Sequence, residues 1–356
     1  MESLVIKNPS ATQRRWLEIS RITRATEWWE FKLSPILATA YATAFLLRLS
    51  IISLWPQLLL TLVALAACAS YVSVINDLTD LEDDFASGKV NRLAGKSRAF
   101  IVAALTCPIL LGTAIAIYWR SDQLLLSLYL ASWIAFTLYS LPLIRLKNRG
   151  VFGLVADASG AHLFPTLLAV TIVYRSHLES LDLIWFALVG VWSLSFGLRG
   201  ILWHQLSDLH NDEKIGLQTF ARRHKITWLR SLGNFVIFPI ELCAFALILW
   251  RVNSRVALAF LCYYALLTFL RKRFWDVNPV VVVPKDRYHI VMQEYYELFF
   301  PLALLLSSSG RYPLDAFVIL PHLLLFPRRA VQSLKDMKVF IGAFKLINRR
   351  IRDLAV

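Results

Sequence analysis

Residues 57–84 read QLLLTLVALAACASYVSVINDLTDLEDD: an apolar run to residue 76 that ends in a cluster of carboxylates. A helix of about 20 apolar residues is long enough to cross a hydrocarbon core. Carboxylates at the edge of such a span are costly, and by default they mark function. If the helix continues past the run, Asn76, Asp80 and Asp84 fall at i, i+4 and i+8, with Asp77 one position away. At about 100° per residue these side chains share one sector, stacked over roughly two turns. Like charges at that spacing repel, so the arrangement asks for a cation between them. Ligands that are all oxygen suit Mg²⁺ or Ca²⁺, and Mg²⁺ commonly joins one or two carboxylates to substrate phosphates.

The rest of the chain repeats the apolar half of this pattern. Hydrophobic residues make up 57% of the 356 residues and charged ones only 17%, with a mean hydropathy of +0.56. That is too little charge to cover a soluble globule and far too much apolar content for a disordered chain. The composition predicts an all-α integral membrane protein, because helices satisfy their own backbone groups inside lipid. Apolar runs lie near residues 33–54, 57–76, 99–119, 123–143, 151–173, 182–202, 232–251, 256–270 and 290–308, with a shorter one at 313–327. They predict a bundle of about nine transmembrane helices and one extra C-terminal segment. The chain then divides into a basic N-terminal segment (1–30), a membrane domain (31–310), and a C-terminal part (311–356) with the extra segment and a basic tail.

A net charge of +14 would suggest nucleic acid in a soluble protein. In a membrane protein it reflects the Lys and Arg that collect in cytoplasmic loops. With the N-terminus inside and a crossing at every run, 31 of the 38 Lys and Arg residues fall inside and six outside, with Arg199 near the inner end of its helix. The sequence thus predicts a multi-pass protein with a cytosolic N-terminus, a lipid bilayer around it and no nucleic-acid partner. The first thirty residues carry Lys7, Arg14, Arg15, Arg21 and Arg24 without an apolar core, so they read as a cytosolic lead-in, not a cleaved signal. Cys68, Cys107, Cys243 and Cys262 lie in apolar runs with no metal-ligand spacing and read as small hydrophobes.

A second acidic cluster ends the sixth run. Residues 204–216 read HQLSDLHNDEKIG, with His204, Asp208 and Asp212 again at i, i+4 and i+8. Under the topology above, both clusters sit at inner helix ends. Two such ends facing each other would clamp metal ions and one diphosphate. Taken singly, each is equally well a solvated helix end; the matched spacing, with a basic loop after each, favours the clamp.

At these residues the chain resembles the UbiA superfamily of intramembrane prenyltransferases. The first signature, NDxxDxxxD, is met by Asn76, Asp77, Asp80 and Asp84, and the second by Asp208, Asp212, Lys214, Ile215 and Gly216. Asn91-Arg92 is similar to the segment after the first signature, although Leu93 stands where proline is usual. Residues 139–147, YSLPLIRLK, resemble the loop between the family's fourth and fifth helices. His204 departs from the carboxylate many members carry there, and the segment 313–327 with its tail is extra to the family pattern. The resemblance implies nine transmembrane helices around a central cavity open to lipid, with both motifs holding Mg²⁺ and a prenyl diphosphate.

On that basis Asp77, Asp80, Asp84, Asp208 and Asp212 are the expected catalytic metal ligands, with Asn76 assisting through its amide oxygen. Arg92, Lys96, Arg145, Lys147 and Lys214 are the candidate diphosphate partners, and the resemblance reaches Arg92 and Lys147; each is otherwise an inside-loop charge. Metal ions and cationic side chains neutralise departing pyrophosphate. Apolar walls keep water from the allylic carbocation, and aromatic faces steady it. Tyr139 is the first candidate for that and Tyr71 the second. Asp157 and His162, in the fifth run, either orient an acceptor or hydrogen-bond across the bundle. Glu294 and Glu297 are expected near the interface or in interhelical pairs, and His204 close to the diphosphate.

The predicted function is Mg²⁺-dependent transfer of a polyprenyl group from its diphosphate to an aromatic or other lipophilic acceptor. A terpene cyclase on the same scaffold needs the same motifs and is the nearest alternative. A phosphoribosyl donor suits the apolar walls less well. A cation-coupled transporter would place its acids near the bilayer midplane on broken helices, whereas here they cluster at helix ends.

Overall fold

The computed structural model describes residues 18–354, with side chains described to residue 342. The start of the expected basic lead, and the tail side chains past residue 342, lie outside the described residues. The helices are α1 (Ser34–Leu46), α2 (Ile51–Thr79), α3 (Arg98–Tyr118), α4 (Gln123–Ser140), α5 (Val151–Ser176) and α6 (Leu183–Ser207). They continue with α7 (Ile226–Val252), α8 (Arg255–Trp275), α9 (Phe300–Ser309), α10 (Ala316–Leu325) and α11 (Pro327–Leu354). Between α8 and α9 lie two short strands, β1 (Asn278–Val280) and β2 (Tyr288–Ile290).

Each predicted run is largely helical, but the count of nine spans is not reached on length and composition among the described residues. Among the described residues six helices, α2 to α7, are long and apolar enough to cross a membrane. By contrast α1 has 13 residues, α9 has 10, and α8 ends in Arg271, Lys272 and Arg273. Leu110, Ile134, Phe235, Trp250 and Phe269 point outward, an apolar exterior suited to lipid. The protein is a multi-pass, all-helical membrane protein apart from its strand pair.

The predicted run 33–54 is cut in two. Arg48 adopts a left-handed φ of 57° after α1, and α2 starts at Ile51. The cap comes from far along the chain: the buried Asp315 carboxylate accepts from the amides of Ile51 (3.0 Å) and Ile52 (2.9 Å) and from the Ser50 hydroxyl (2.7 Å). Free N–H groups at a helix start favour such an anion.

Four prolines shape the bundle. Pro35, Pro165, Pro239 and Pro301 each follow a π-helical turn, at Trp29–Leu33, Ser159–Leu163, Gly233–Ile237 and Tyr295–Phe299. A proline inside a helix lacks an N–H and clashes with the carbonyl four residues back. In all four cases that carbonyl belongs to the middle residue of the π turn, whose wider ring moves it aside. At Glu297 the released carbonyl accepts from the Ser34 hydroxyl at 2.5 Å, joining α9 to α1.

Helix α6 packs along α5 and α7. A Cβ at Gly197 would lie 2.9 Å from the Ala158 carbonyl, so glycine is what permits α6 to approach α5. After α8 the chain forms a parallel pair, with Asn278 opposite Tyr288 and Val280 opposite Ile290. Its continuation buries Val282 against Gly233, where a Cβ would come within 2.5 Å of a valine methyl.

Candidate active site

Neither acidic helix runs straight through its motif. Asp80 ends α2 with φ −102° and ψ 6°, and Asp208 ends α6 with φ −94° and ψ 3°. A short helix follows each, Leu81–Ser87 and Leu209–Lys214. The backbone bonds persist across both breaks: Asp84 N–H to the Asp80 carbonyl at 2.8 Å, and Asp212 N–H to that of Asp208 at 3.0 Å. Both short helices then close on a left-handed glycine, Gly88 (φ 75°) and Gly216 (φ 69°). The amides of Lys89 and Leu217 reach back to the Asp84 and Asp212 carbonyls at 2.8 and 3.0 Å, the bonding of a Schellman motif. Asn76-Asp80-Asp84-Gly88 and His204-Asp208-Asp212-Gly216 are thus two copies of one local structure, and the two short helices pack on each other.

Basic side chains face these carboxylates. Asp77, 1% exposed, lies 2.7 Å from the Arg24 guanidinium and 3.8 Å from that of Arg92. Asp80 pairs with Arg145 at 3.1 Å and with Lys147, and Arg145 also meets Asp83. Asp84 accepts from the Asn91 amide at 2.8 Å, and Asp208 pairs with Lys89 at 3.2 Å. Asp212 accepts from the Thr219 hydroxyl at 3.2 Å. Burial, then the neighbouring Asp208 charge, raises the Asp212 carboxyl above the ordinary carboxylate range. Burial lowers the Lys147 ammonium, and the Asp80 charge opposes that shift.

Local packing explains why Lys147 is buried. It lies on the turn Leu146–Asn148, entered through a left-handed Arg145 (φ 43°). That turn rests directly on α5 at Gly153, where a Cβ would lie 2.5 Å from the Leu146 carbonyl. Gly150 bridges to Thr219, and Arg223 donates to the Asn148 carbonyl at 3.1 Å. The segments 145–149 and 215–225 are thereby held together beside Asp212, which Thr219 contacts.

The first residue of each copy, Asn76 and His204, lines a cavity of about 1230 Å³; the aspartates stand further out among their basic partners. Phe136, Tyr139, Ile36 and Phe196 form part of its wall, with Asp157 and His162 also on it. Tyr139 stands beside Ser140, whose hydroxyl donates to the Asn76 amide oxygen at 3.4 Å. The structure therefore gathers Asn76, Asp77, Asp80, Asp84, Arg92, Arg145, Lys147, Asp208 and Asp212 into one polar cluster, which Asn76 joins to the cavity beside Tyr139.

The remaining candidates lie outside this cluster. Lys96 pairs with Glu18 and Lys214 is exposed at the end of its short helix, so neither joins the cluster. Tyr71 turns away between α2 and α4, with its hydroxyl 3.0 Å from that of Thr137 and its ring 4.9 Å from Trp133. Glu294 and Glu297 form ion pairs, as expected of them, with Arg271 and Arg329. Sequence reasoning missed Arg24 as a site residue. Its left-handed backbone (φ 52°) is held because the preceding Thr23 carbonyl accepts from Ser73 (2.7 Å) and from the Trp28 indole (2.6 Å). No spacing rule links it to Asp77.

Among the described residues no three Asp, Glu, His or Cys side chains converge on one point. The motif carboxylates face Lys and Arg instead. Both oxygens of Asp77 are buried, faced by the Arg24 and Arg92 guanidiniums at 2.7 and 3.8 Å. An all-oxygen donor set of this kind fits a hard divalent cation.

The fold and site define a helical membrane protein whose paired acidic helix ends close one end of a large cavity. The family model of the UbiA prenyltransferase family matches residues 36–282, and the chain belongs to that family. Its fold is similar to that of a UbiA homolog from Archaeoglobus fulgidus solved with GPP and Mg²⁺, at 14% identity and a TM-score of 0.53, covering 84% of this chain and 99% of that one. The same homolog bound to DMAPP and Mg²⁺ aligns at 16% identity and a TM-score of 0.52, covering 82% and 99%. No curated protein matches the chain.

Proposed function

We propose that the protein is a Mg²⁺-dependent prenyltransferase that moves a polyprenyl group from its diphosphate to an aromatic or other lipophilic acceptor. The observation that carries this reading is the pair of like-built acidic helix ends, each set among basic side chains, at one end of a largely apolar cavity. The Archaeoglobus homolog, of the same fold, binds GPP or DMAPP together with Mg²⁺. The bundle has about nine transmembrane helices and starts from a cytosolic N-terminus, with both motifs on the cytosolic side and the 313–327 segment crossing or re-entering so that the tail is also inside; the 31-to-6 partition of basic residues, which counts that segment as a crossing, supports this. Residues 31–310 form the catalytic domain, and 311–356 are an addition to it.

Asp77, Asp80, Asp84, Asp208 and Asp212 would hold Mg²⁺, with Asn76 assisting. Bound there, the metal supplies Lewis-acid charge that stabilises the departing pyrophosphate. Arg92, Arg145 and Lys147 contact the diphosphate oxygens, exchanging carboxylate partners for phosphate. As the C1–O bond breaks, its electron pair leaves with the pyrophosphate and the prenyl carbon becomes cationic. Tyr139 and Phe136 offer ring faces to that cation, and the apolar wall excludes water that would convert it to the alcohol. The acceptor then bonds to C1 and loses a proton.

A cavity of about 1230 Å³ exceeds the usual range of about 300–1,000 Å³ for one small-molecule site. That size favours two substrates over a cyclase that folds one. The test is pyrophosphate release by purified protein with geranylgeranyl diphosphate and Mg²⁺, with and without membrane extract, against Asp80→Ala/Asp208→Ala. Motif-dependent release that needs extract supports transfer. A cyclic hydrocarbon formed without extract would make it a cyclase, and silence in both arms across prenyl lengths would overturn the prenyl donor.

A further inference from the structure

The cavity has a second polar wall. Arg271, at the end of α8 and 6% exposed, pairs with Glu294 and also donates to Asp336 of α11 at 2.5 and 2.9 Å. Arg329 of α11 pairs with Glu297 at 2.5 Å, and the Gln332 amide donates to Asp336 at 2.8 Å. Arg271, Glu294, Arg329, Gln332 and Asp336 all line the cavity, as do Tyr288 and His289 of β2. This wall stands beside the second motif: the Tyr288 ring lies 6.4 Å from Trp203, the neighbour of His204.

Most of this wall is built by residues beyond the 36–282 family match. Helix α11 is fastened to it by the ion pairs and by Phe340 stacked 4.4 Å from Trp275. Buried ion networks are no more stabilising than well-packed hydrophobic residues of the same volume. Bundle stability alone therefore does not account for so many charges against a cavity. Their balance says what they can receive. Arg271 and Arg329 are neutralised by Glu294, Asp336 and Glu297, and Arg328 lies over the Phe31 ring with its backbone amide on Glu30. Within this network a carboxylate head finds both arginines already paired with acids, and burying it unpaired is expensive; the lining cations without a carboxylate partner among the described residues, Lys32 and Arg328, stand outside the network over the Phe136 and Phe31 rings. A hydroxyl finds both donors and acceptors.

We infer that this wall is the acceptor subsite, and that it takes the head of a neutral, hydroxyl-bearing lipophilic molecule, with α11 completing the site. The inference rests on the prenyltransferase reading. Placed between Tyr288 and Gln332, such a head lies next to the second motif while its apolar part meets the helix wall.

The full chain in detergent micelles is titrated under reducing conditions with naphthalene-1,4-diol and with its carboxylate analogue, 1,4-dihydroxy-2-naphthoate, following tryptophan quenching. Expected is at least tenfold tighter binding of the diol. Gln332→Leu, at the exposed rim, and Asp336→Asn each weaken the diol tenfold or more. Both variants bind geranylgeranyl thiolodiphosphate with Mg²⁺ within twofold of the parent, which shows that they are folded. Equal affinity for the naphthoate, or unchanged diol binding in both variants, overturns the subsite. Failure of the parent chain to bind the thiolodiphosphate overturns the prenyl-donor reading instead, and the diol titration separates the two failures.

Discussion

Arg199 and Glu241 form a bidentate pair deep between α6 and α7, at 2.6 and 2.7 Å, with side chains 2% and 0% exposed. The guanidinium also lies over Phe196 and Phe238, at 5.5 and 5.3 Å. With charge centres about 4 Å apart, the attraction is about 4 kcal/mol at an effective dielectric of 20. Removing one partner strands the other charge in an apolar surround, which costs about 3–5 kcal/mol. Arg199→Leu or Glu241→Leu should therefore lower the folding constant by about two to nearly four powers of ten. The double variant Arg199→Leu/Glu241→Leu removes both charges and should return to within about 1 kcal/mol of the parent chain, or exceed it. Equilibrium unfolding in mixed micelles, followed by helical circular dichroism, measures all four corners of the cycle. Single losses below about 1 kcal/mol that simply add in the double variant would show that the pair is not a desolvated unit.

Lys147→Ala should slow pyrophosphate release about 10²–10³-fold, the usual loss for one charge-stabilising group in a dry site. Arg145→Ala should lose less, because its side chain is 26% exposed and water replaces it. Gly216→Ala meets no atom within 4 Å, so its cost is backbone strain alone, about 1–2 kcal/mol in micelle unfolding, with Gly216→Asn milder. Gly233→Ala should cost about 1–3 kcal/mol by overpacking against Val282, and Val282→Ala in the same chain should recover much of it. Chelation with EDTA should abolish pyrophosphate release, with Mg²⁺ restoring it; release that persists in EDTA would remove the metal from the reaction.

The helices and the two acidic ends were legible because each rests on a short-range signal. An apolar run and an i, i+4 spacing both survive whatever the rest of the chain does. The lost features depend on distant partners. The cap that starts α2 is Asp315, and the charge on Asp77 is Arg24, and neither pairing has a local pattern. Lys96 and Lys214 read like Lys147 in sequence, yet only Lys147 has a glycine beneath its turn to let it sink into the site. The breaks at Asp80 and Asp208 did carry a signal, since Gly88 and Gly216 stand eight residues after each. Two glycines at one offset from matched aspartates require two closed short helices, not one continued rod.

The prolines show how the cavity stays open within this bundle. A straight α-helix presents a full rank of bonded carbonyls, and neighbours pack against it at uniform distance. At Pro35, Pro165 and Pro301 the preceding π turn widens the helix beside the cavity, and Lys32, His162 and Glu294 lie on its wall in or next to those turns. Pro56, Pro108 and Pro321 lie inside helices without such a turn, and none of them lines the cavity. The fourth π turn, before Pro239, receives Val282 instead and fixes the strand pair that carries Tyr288. Replacing Pro301 with alanine lets the helix close to the ordinary pitch, which retracts the Glu297 carbonyl from Ser34 and shifts Glu294 on the cavity wall. The consequence is specific: donor-analogue binding should stand while diol affinity falls, although Pro301 itself touches neither ligand.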